Sequence, residues 1–174
     1  LEESTIAIRA LLAGEQLTLS GKEIQLDQAE LVHPPENIPP ISLGVRGPKS
    51  LKLSGRLADG TILAEYSSPA YVSWAKDQIE KGQRDAGDRR HPRLTVFAFA
   101  CTNSHDVCAH KQLRPLIAGA IASGKIDAQI SPMGILPQAH EFVTSGGQKS
   151  LEENMPNDWI DQLAITGSPE AWKL

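Results

Sequence analysis

The chain holds two cysteines in 174 residues, Cys101 and Cys108. They are too few for a disulfide framework and too far from other thiols for a zinc site, so reduced thiols in a cytoplasmic protein are the plain expectation. No apolar run approaches the length needed to span a bilayer, and nothing in the first residues reads as a signal peptide. No basic stripe is present either. Lys and Arg are scattered, the densest group being "DRRHPR" at 88–93, and the formal net charge is −4, which argues against nucleic acid as the main partner. His33, His91 and His140 stand in separate contexts, and no Ser-His-Asp or Cys-His set assembles by spacing. His105, Cys108 and His110 cannot share one helix face, so no metal site is expected. Asp158 and Asp161 beside Trp159 read as an exposed helix face rather than an acid/base pair.

What remains is an ordinary globular composition, 40% hydrophobic and 22% charged, in a length that fits one domain over 1–174 and can bury a core. "LEESTIAIRALLAGE" carries a broad helical stripe through Ile6, Ala7, Ile8, Ala10, Leu11 and Leu12 and stops at Gly14. "QLTLSGKEIQL" predicts a hairpin around Ser20-Gly21, and "HPPENIPP" an extended approach. A strand is expected over Ile41–Val45, a helix from Pro48 to about Ala58 and a strand over Thr61–Ala64. Leu51, Ser54, Gly55 and Ala58 share one face of that helix; three of the four are small and let it lie close on a sheet. Strand, helix and strand at this length make a βαβ unit with parallel strands. Ser67-Ser68-Pro69 opens a helix running to about Ala86 with Val72, Ala75 and Ile79 inward, and Gly87 stops it. "RLTVFAFAC", Arg93 to Cys101, reads as the clearest buried strand. Asn103-Ser104 caps a helix that Pro115 kinks or divides. Beyond Gly124 the sequence predicts helices and no strand.

The stretch with chemical promise is "ISLGVRGPKS". Gly44 and Gly47 fall at the carboxyl end of a parallel strand, where α/β proteins bind ligands, and at the amino end of a helix, where free amides favour an anion. Two readings stand: the glycines only shape a tight turn, or they bring bare backbone to a phosphate. At the next strand end Glu65, Tyr66, Ser67 and Ser68 either line the same pocket or cap the following helix. No carboxylate pair is placed for acid/base work.

"PPISLGVRGPKSLKLSGRLADGTILAEYSSPAYVSWAKDQI", Pro39 to Ile79, resembles the bacterial luciferase-like superfamily, and most of all its deazaflavin-dependent branch, which includes methylenetetrahydromethanopterin reductases. The strand entering Gly-x-x-Gly-Pro, the helix end "SGRLADG" and the helix beginning Ser-Pro carry the likeness. "IRALLAGE", "TLSGKEI", the Pro-Pro approach, the "RP" of the later helix and the closing "GSPE" support it in the family's order.

The resemblance implies an α/β fold, a partial (β/α)8 TIM barrel with parallel strands and a helical insertion near the C-terminal part. The chain would be the later half, lacking the opening strands and the final one. The family reading is an oxidoreductase transferring hydride between a deazaflavin, coenzyme F-420, and a small organic substrate, with a homodimer as the usual assembly. Relatives put the cofactor's phosphate near the turn that here is Gly44, Val45, Arg46 and Gly47, and Leu63, Ala64 and Glu65 are similarly placed. Where some deazaflavin enzymes offer a phosphate-contacting lysine, this chain has Tyr66-Ser67-Ser68, which leaves Arg46 as a substitute. The residues that touch the reacting ring in relatives come largely from the first half, so no catalytic residue is assigned and this segment alone is expected to be inactive. The alternatives are an FMN-dependent monooxygenase, a non-catalytic half-barrel that binds a partner, and a sugar-phosphate barrel enzyme.

Overall fold

Strand-to-helix switches fall where the sequence supplies a start signal: Pro48 and Pro69 each occupy the first helical position, where a missing N–H costs nothing. The computed structural model describes residues 1–87, 92–102 and 106–167. In chain order these form α1 (Glu2–Leu12), β1 (Leu17–Ser20), β2 (Gln25–Ala29), β3 (Ser42–Gly44), α2 (Pro48–Leu57), β4 (Gly60–Leu63), α3 (Pro69–Ala86), β5 (Arg93–Val96) and β6 (Ala100–Thr102). Then come α4 (Asp106–Ala122), α5 (Asp127–Ile130), a 3-10 turn (Ser131–Met133), α6 (Leu136–Asn154), α7 (Asn157–Leu163) and β7 (Ile165–Gly167). The predicted cap at Asn103-Ser104 and the closing "GSPE" from Ser168 onward lie outside the described residues. Two compact units share the chain, Leu1–Ile62 with Gln78–Thr95, and Leu63–Asp77 with Val96–Leu174.

In the first unit β3 and β4 pair in parallel, Ser42 opposite Gly60 and Gly44 opposite Ile62, and β5 follows in the sheet order β3-β4-β5. The βαβ expectation holds. Leu51, Ser54 and Gly55 of α2 are buried, as is Ala58 just beyond it, but the small residues divide their work. Ser54 faces the sheet, its hydroxyl 2.7 Å from the Thr61 hydroxyl and 3.3 Å from the Gly60 carbonyl. Gly55 faces a helix instead: a Cβ there would stand 1.9 Å from the Ile79 carbonyl oxygen, and one at Gly82 would stand 1.9 Å from that of Lys52. Each glycine of the α2–α3 contact thus admits the other helix's backbone.

The "SGRLADG" segment is a fastener at the amino ends of the strands. Asp59 Oδ2 accepts hydrogen bonds from Arg9 and from the Ile41 amide, both at 2.8 Å, and Arg9 also reaches the Leu57 carbonyl at 3.0 Å. Arg56 pairs with Glu2. The hairpin of β1 and β2 is antiparallel, and the Glu3 carboxylate closes its loop by accepting the amides of Lys22, Glu23 and Ile24 at 2.9–3.1 Å. α1 departs from expectation in one respect. Thr5 and Ala7 are its buried residues, whereas Ile6 and Ile8 are 45% and 49% exposed, so the broad stripe is only partly covered among the described residues.

The second unit has a helical core. Leu113, Ile117 and Ile121 of α4, Ala139 and Leu151 of α6, and Trp159, Ile160 and Leu163 of α7 pack together with Ile126 and Ile130. Pro115 sits inside α4 without dividing it. Arg114 beside it donates to the Met155 carbonyl and the Asn157 side chain, fixing the α6–α7 corner. α6 breaks at Gly146-Gly147, where Gly147 adopts a φ of 64°.

Two sequence expectations fail here. "RLTVFAFAC" is not one buried strand. β5 stops at Val96 and β6 begins at Ala100 in a different sheet, and Phe97 is 55% exposed. The chain changes partners over this stretch: Phe97 N donates to the Leu63 carbonyl at 3.0 Å, and the Phe99 carbonyl then accepts Ile165 N at 2.8 Å. That second partner belongs to a strand absent from the sequence reading. β7 pairs in parallel with β6, Ala100 opposite Ile165 and Thr102 opposite Gly167, so the region past Gly124 does return to the sheet after its helices.

Candidate functional site

The turn after β3 answers part of the question its glycines raise. Gly47 caps α2 with φ −86° and ψ 162°, and neither it nor Gly44 takes a positive φ, so no left-handed backbone demands glycine at either place. Packing does not demand it either. A Cβ at Gly44 would meet nothing within 4 Å, and one at Gly47 only the Ser50 hydroxyl at 3.9 Å. The tight-turn reading therefore lacks its usual physical reason, and the space a side chain would fill is open. Gly44, Arg46 and Lys49 are exposed, Val45 and Gly47 half-buried.

At the start of α2 the Gly47 carbonyl accepts Leu51 N at 2.9 Å and the Ser50 hydroxyl at 3.0 Å. The amides of Lys49 and Ser50 precede the first intrahelical donor, and Pro48 has none. The first turn carries no acidic residue and includes Lys49. Amides without a partner among the described residues, the positive end of a helix dipole and a lysine together suit an anion. The residues present fit an anionic group at this turn.

Leu63, Ala64 and Glu65 fall in the second unit, directly after Ile62 in the chain. Leu63 is fully buried and its carbonyl is taken by Phe97, so its side chain belongs to the core. Ala64 and Glu65 are exposed, and the Ala64 carbonyl accepts the Ser67 hydroxyl at 2.6 Å. Ser68 is a helix cap: its Oγ accepts Tyr71 N at 3.1 Å. Tyr66 stands out, with a φ of 64°, a conformation costly for a bulky residue. Its ring packs on Phe99 with centroids 5.1 Å apart, and burial, then the neighbouring Glu65 charge, push its phenol above the ordinary value. Such strain at a strand's carboxyl end is invisible in the sequence.

Of the residues weighed as ligands, His105 and the Cys108 side chain lie outside what is described, and the described residues hold no cluster able to grip a metal ion. His110 has another use. Its Nε2 lies 2.7 Å from Asp161 Oδ1, which also accepts the Thr166 hydroxyl at 2.9 Å. Burial pushes the Asp161 carboxyl up, but the hydrogen bonds from His110 and Thr166 outweigh it and hold the group below the ordinary value. Asp161 is thus no idle member of an exposed helix face. It joins α4, α7 and β7, three elements whose sequence separation hid the contact.

Comparison with known proteins bears on the whole chain. The family profile described as luciferase-like monooxygenase matches residues 1–173. The 5,10-methylenetetrahydromethanopterin reductase of Methanolobus tindarius is 32% identical over 99% of this chain and 54% of its own length. The reductase of the same name from Archaeoglobus fulgidus is 26% identical over 98% of the chain and 53% of its own. The chain therefore spans about half the length of the curated relatives it matches. Among solved structures, the coenzyme F420 dependent tetrahydromethanopterin reductase from Methanopyrus kandleri superposes with a TM-score of 0.67 at 22% identity, over 97% of this chain and 50% of that one. That likeness concerns the fold, which is α/β with the parallel strands of a partial (β/α)8 barrel and a helical insertion before β7.

Proposed function

The chain belongs to the luciferase-like monooxygenase family, and from that premise we propose that it serves an oxidoreductase, as the later half of a single barrel domain, with the deazaflavin coenzyme F420 as cofactor. The observation that carries the anchoring role is the turn at Gly44–Gly47, where two glycines stand although neither the backbone conformation nor packing requires them. The amides of Lys49 and Ser50 would hold the cofactor's phosphate there, with Lys49 and Arg46 supplying positive charge. A deazaflavin, when bound, supplies a ring carbon that takes or gives a hydride. This chain's part is to anchor, orient and shield. The substrate is a small organic molecule, and no residue here is assigned to the reacting ring. A homodimer in the cytoplasm completes the reading; the family resemblance and the sparse cysteines support it.

The test is fluorescence titration of the protein with coenzyme F420 and, separately, with FMN. We expect the deazaflavin to bind and FMN to bind at least tenfold more weakly. Gly47→Val and Gly44→Val should each weaken deazaflavin binding about tenfold or more while leaving the thermal midpoint in place, because the added atoms enter open space. Preference for FMN would overturn the cofactor assignment, and unchanged affinity in both variants would overturn the anchoring turn. Turnover by the isolated 174 residues would contradict the expectation that this segment alone is inactive.

A further inference from the structure

The second unit contains a cleft of about 550 Å³ that the proposed cofactor turn does not use. That volume is in the range of small-molecule pockets, roughly 300–1,000 Å³. Its walls come from the first half of α3, the end of β5 and the junction of α7 with β7. Val72, Val96, Leu163 and Ile165 make it largely apolar, and Val96 and Ile165 remain 38% and 49% exposed within it. Branched aliphatic side chains left open to water in a concavity favour an apolar occupant.

Two charged side chains line the same cleft, and they differ in one respect. Asp161 is already engaged by His110 and Thr166. Lys76 makes no ion pair or hydrogen bond among the described residues, and Ser73 lies one turn before it on the same helix face. Among the described residues the cleft's one charged side chain without a bonded partner is therefore a cation beside a hydroxyl donor, which suits an anion.

The geometry points to a binding site for a small amphipathic anion, an apolar body lying on Val96, Leu163 and Ile165 with a carboxylate or sulfonate held by Lys76 and Ser73. Its residues are separate from those of the cofactor turn, so the two stand or fall independently.

The probe is 8-anilinonaphthalene-1-sulfonate, whose fluorescence rises in apolar surroundings and which carries one sulfonate. Saturable one-to-one binding is expected, weakening as salt is raised. Lys76→Ala should raise the dissociation constant about tenfold, the loss of one charged hydrogen bond, while Lys76→Arg keeps it within about threefold. Val96→Asp should abolish binding. Near-ultraviolet circular dichroism checks that each variant keeps its native packing, and N-phenyl-1-naphthylamine, which lacks the sulfonate, should not respond to Lys76→Ala. Equal affinity of wild type and Lys76→Ala for the sulfonate probe would overturn the proposal. So would a cleft closed by self-association, seen as a dimer in gel filtration that Val96→Asp converts to monomer.

Discussion

Replacing Gly55 by alanine sets two opposed effects of known size against each other. In a helix interior alanine is favoured over glycine by about 1 kcal/mol. Against this, the new Cβ would stand 1.9 Å from the Ile79 carbonyl oxygen and 2.7 Å from its carbon. Ordinary contact begins near 3.4 Å, so α2 and α3 must part by about 1.5 Å (3.4 less 1.9). The obstacle is backbone and cannot rotate aside. Overpacking of a core costs about 1–3 kcal/mol, and a backbone clash belongs at the upper end. The net expectation for Gly55→Ala is a loss of about 2 kcal/mol. At roughly 2–4 °C per kcal/mol for a chain of this size, the thermal midpoint should fall by about 4–8 °C. Circular dichroism at 222 nm measures it. Gly82→Ala, which meets the Lys52 carbonyl at the same 1.9 Å, should cost a similar amount. Since one parting of the helices relieves both clashes, the double variant should lose clearly less than the sum. A Gly55→Ala protein as stable as wild type, or strictly additive losses, would refute the close backbone contact.

Further outcomes can be checked on the same protein. Ser54→Ala should cost about 1–3 kcal/mol in urea unfolding, because it strands the buried Thr61 hydroxyl, and Ser54→Ala with Thr61→Val should recover part of that loss. Hydrogen bonds from the amides of Glu23 and Lys22 hold the Glu3 carboxyl below its ordinary value. A depressed carboxyl contributes stability above its unfolded pKa and loses it as pH falls through the folded one. Exchange protection of the amides of residues 22–24 should therefore drop in acid below the ordinary carboxylate range, and Glu3→Gln should abolish that pH dependence; protection that ignores pH would count against it. Asp161→Asn should loosen β7 with a cost of at most about 1 kcal/mol, since the carboxylate is nearly half exposed. In wild type the contribution of Asp161 should likewise fade only in acid, seen as faster exchange at Thr166.

Local signals carried much of the architecture. Gly47-Pro48 and Ser68-Pro69 start α2 and α3, the hairpin forms around Ser20-Gly21, and β3 and β4 lie within a residue or two of their predicted bounds. These depend on caps, turns and short-range patterning, which sequence displays directly. Features set by distant partners did not show. "RLTVFAFAC" has the composition of one strand, yet its hydrogen bonds go first to Leu63 and then to Ile165, and that division depends on residues 30 and more positions away. β7 is three residues long with no alternation, and only its pairing with Ala100–Thr102 makes it a strand. Gly55 announced a close approach that the sequence reading assigned to a sheet and the structure gives to a helix, because the same small residue serves either. At the candidate site the motif was legible, whereas the open space at Gly44 and the strained Tyr66 needed coordinates.

The pairing of β6 with β7 has a cost in time. Ala100 and Ile165 are partners, yet the whole helical segment is made between them. At roughly 5–20 residues per second of synthesis, β6 leaves the ribosome about 3–13 s before its neighbour exists. Through that interval β6 lacks the one strand it pairs with among the described residues, and its open edge can recruit a foreign one. A message translated faster between the two strands would shorten that interval without altering one residue.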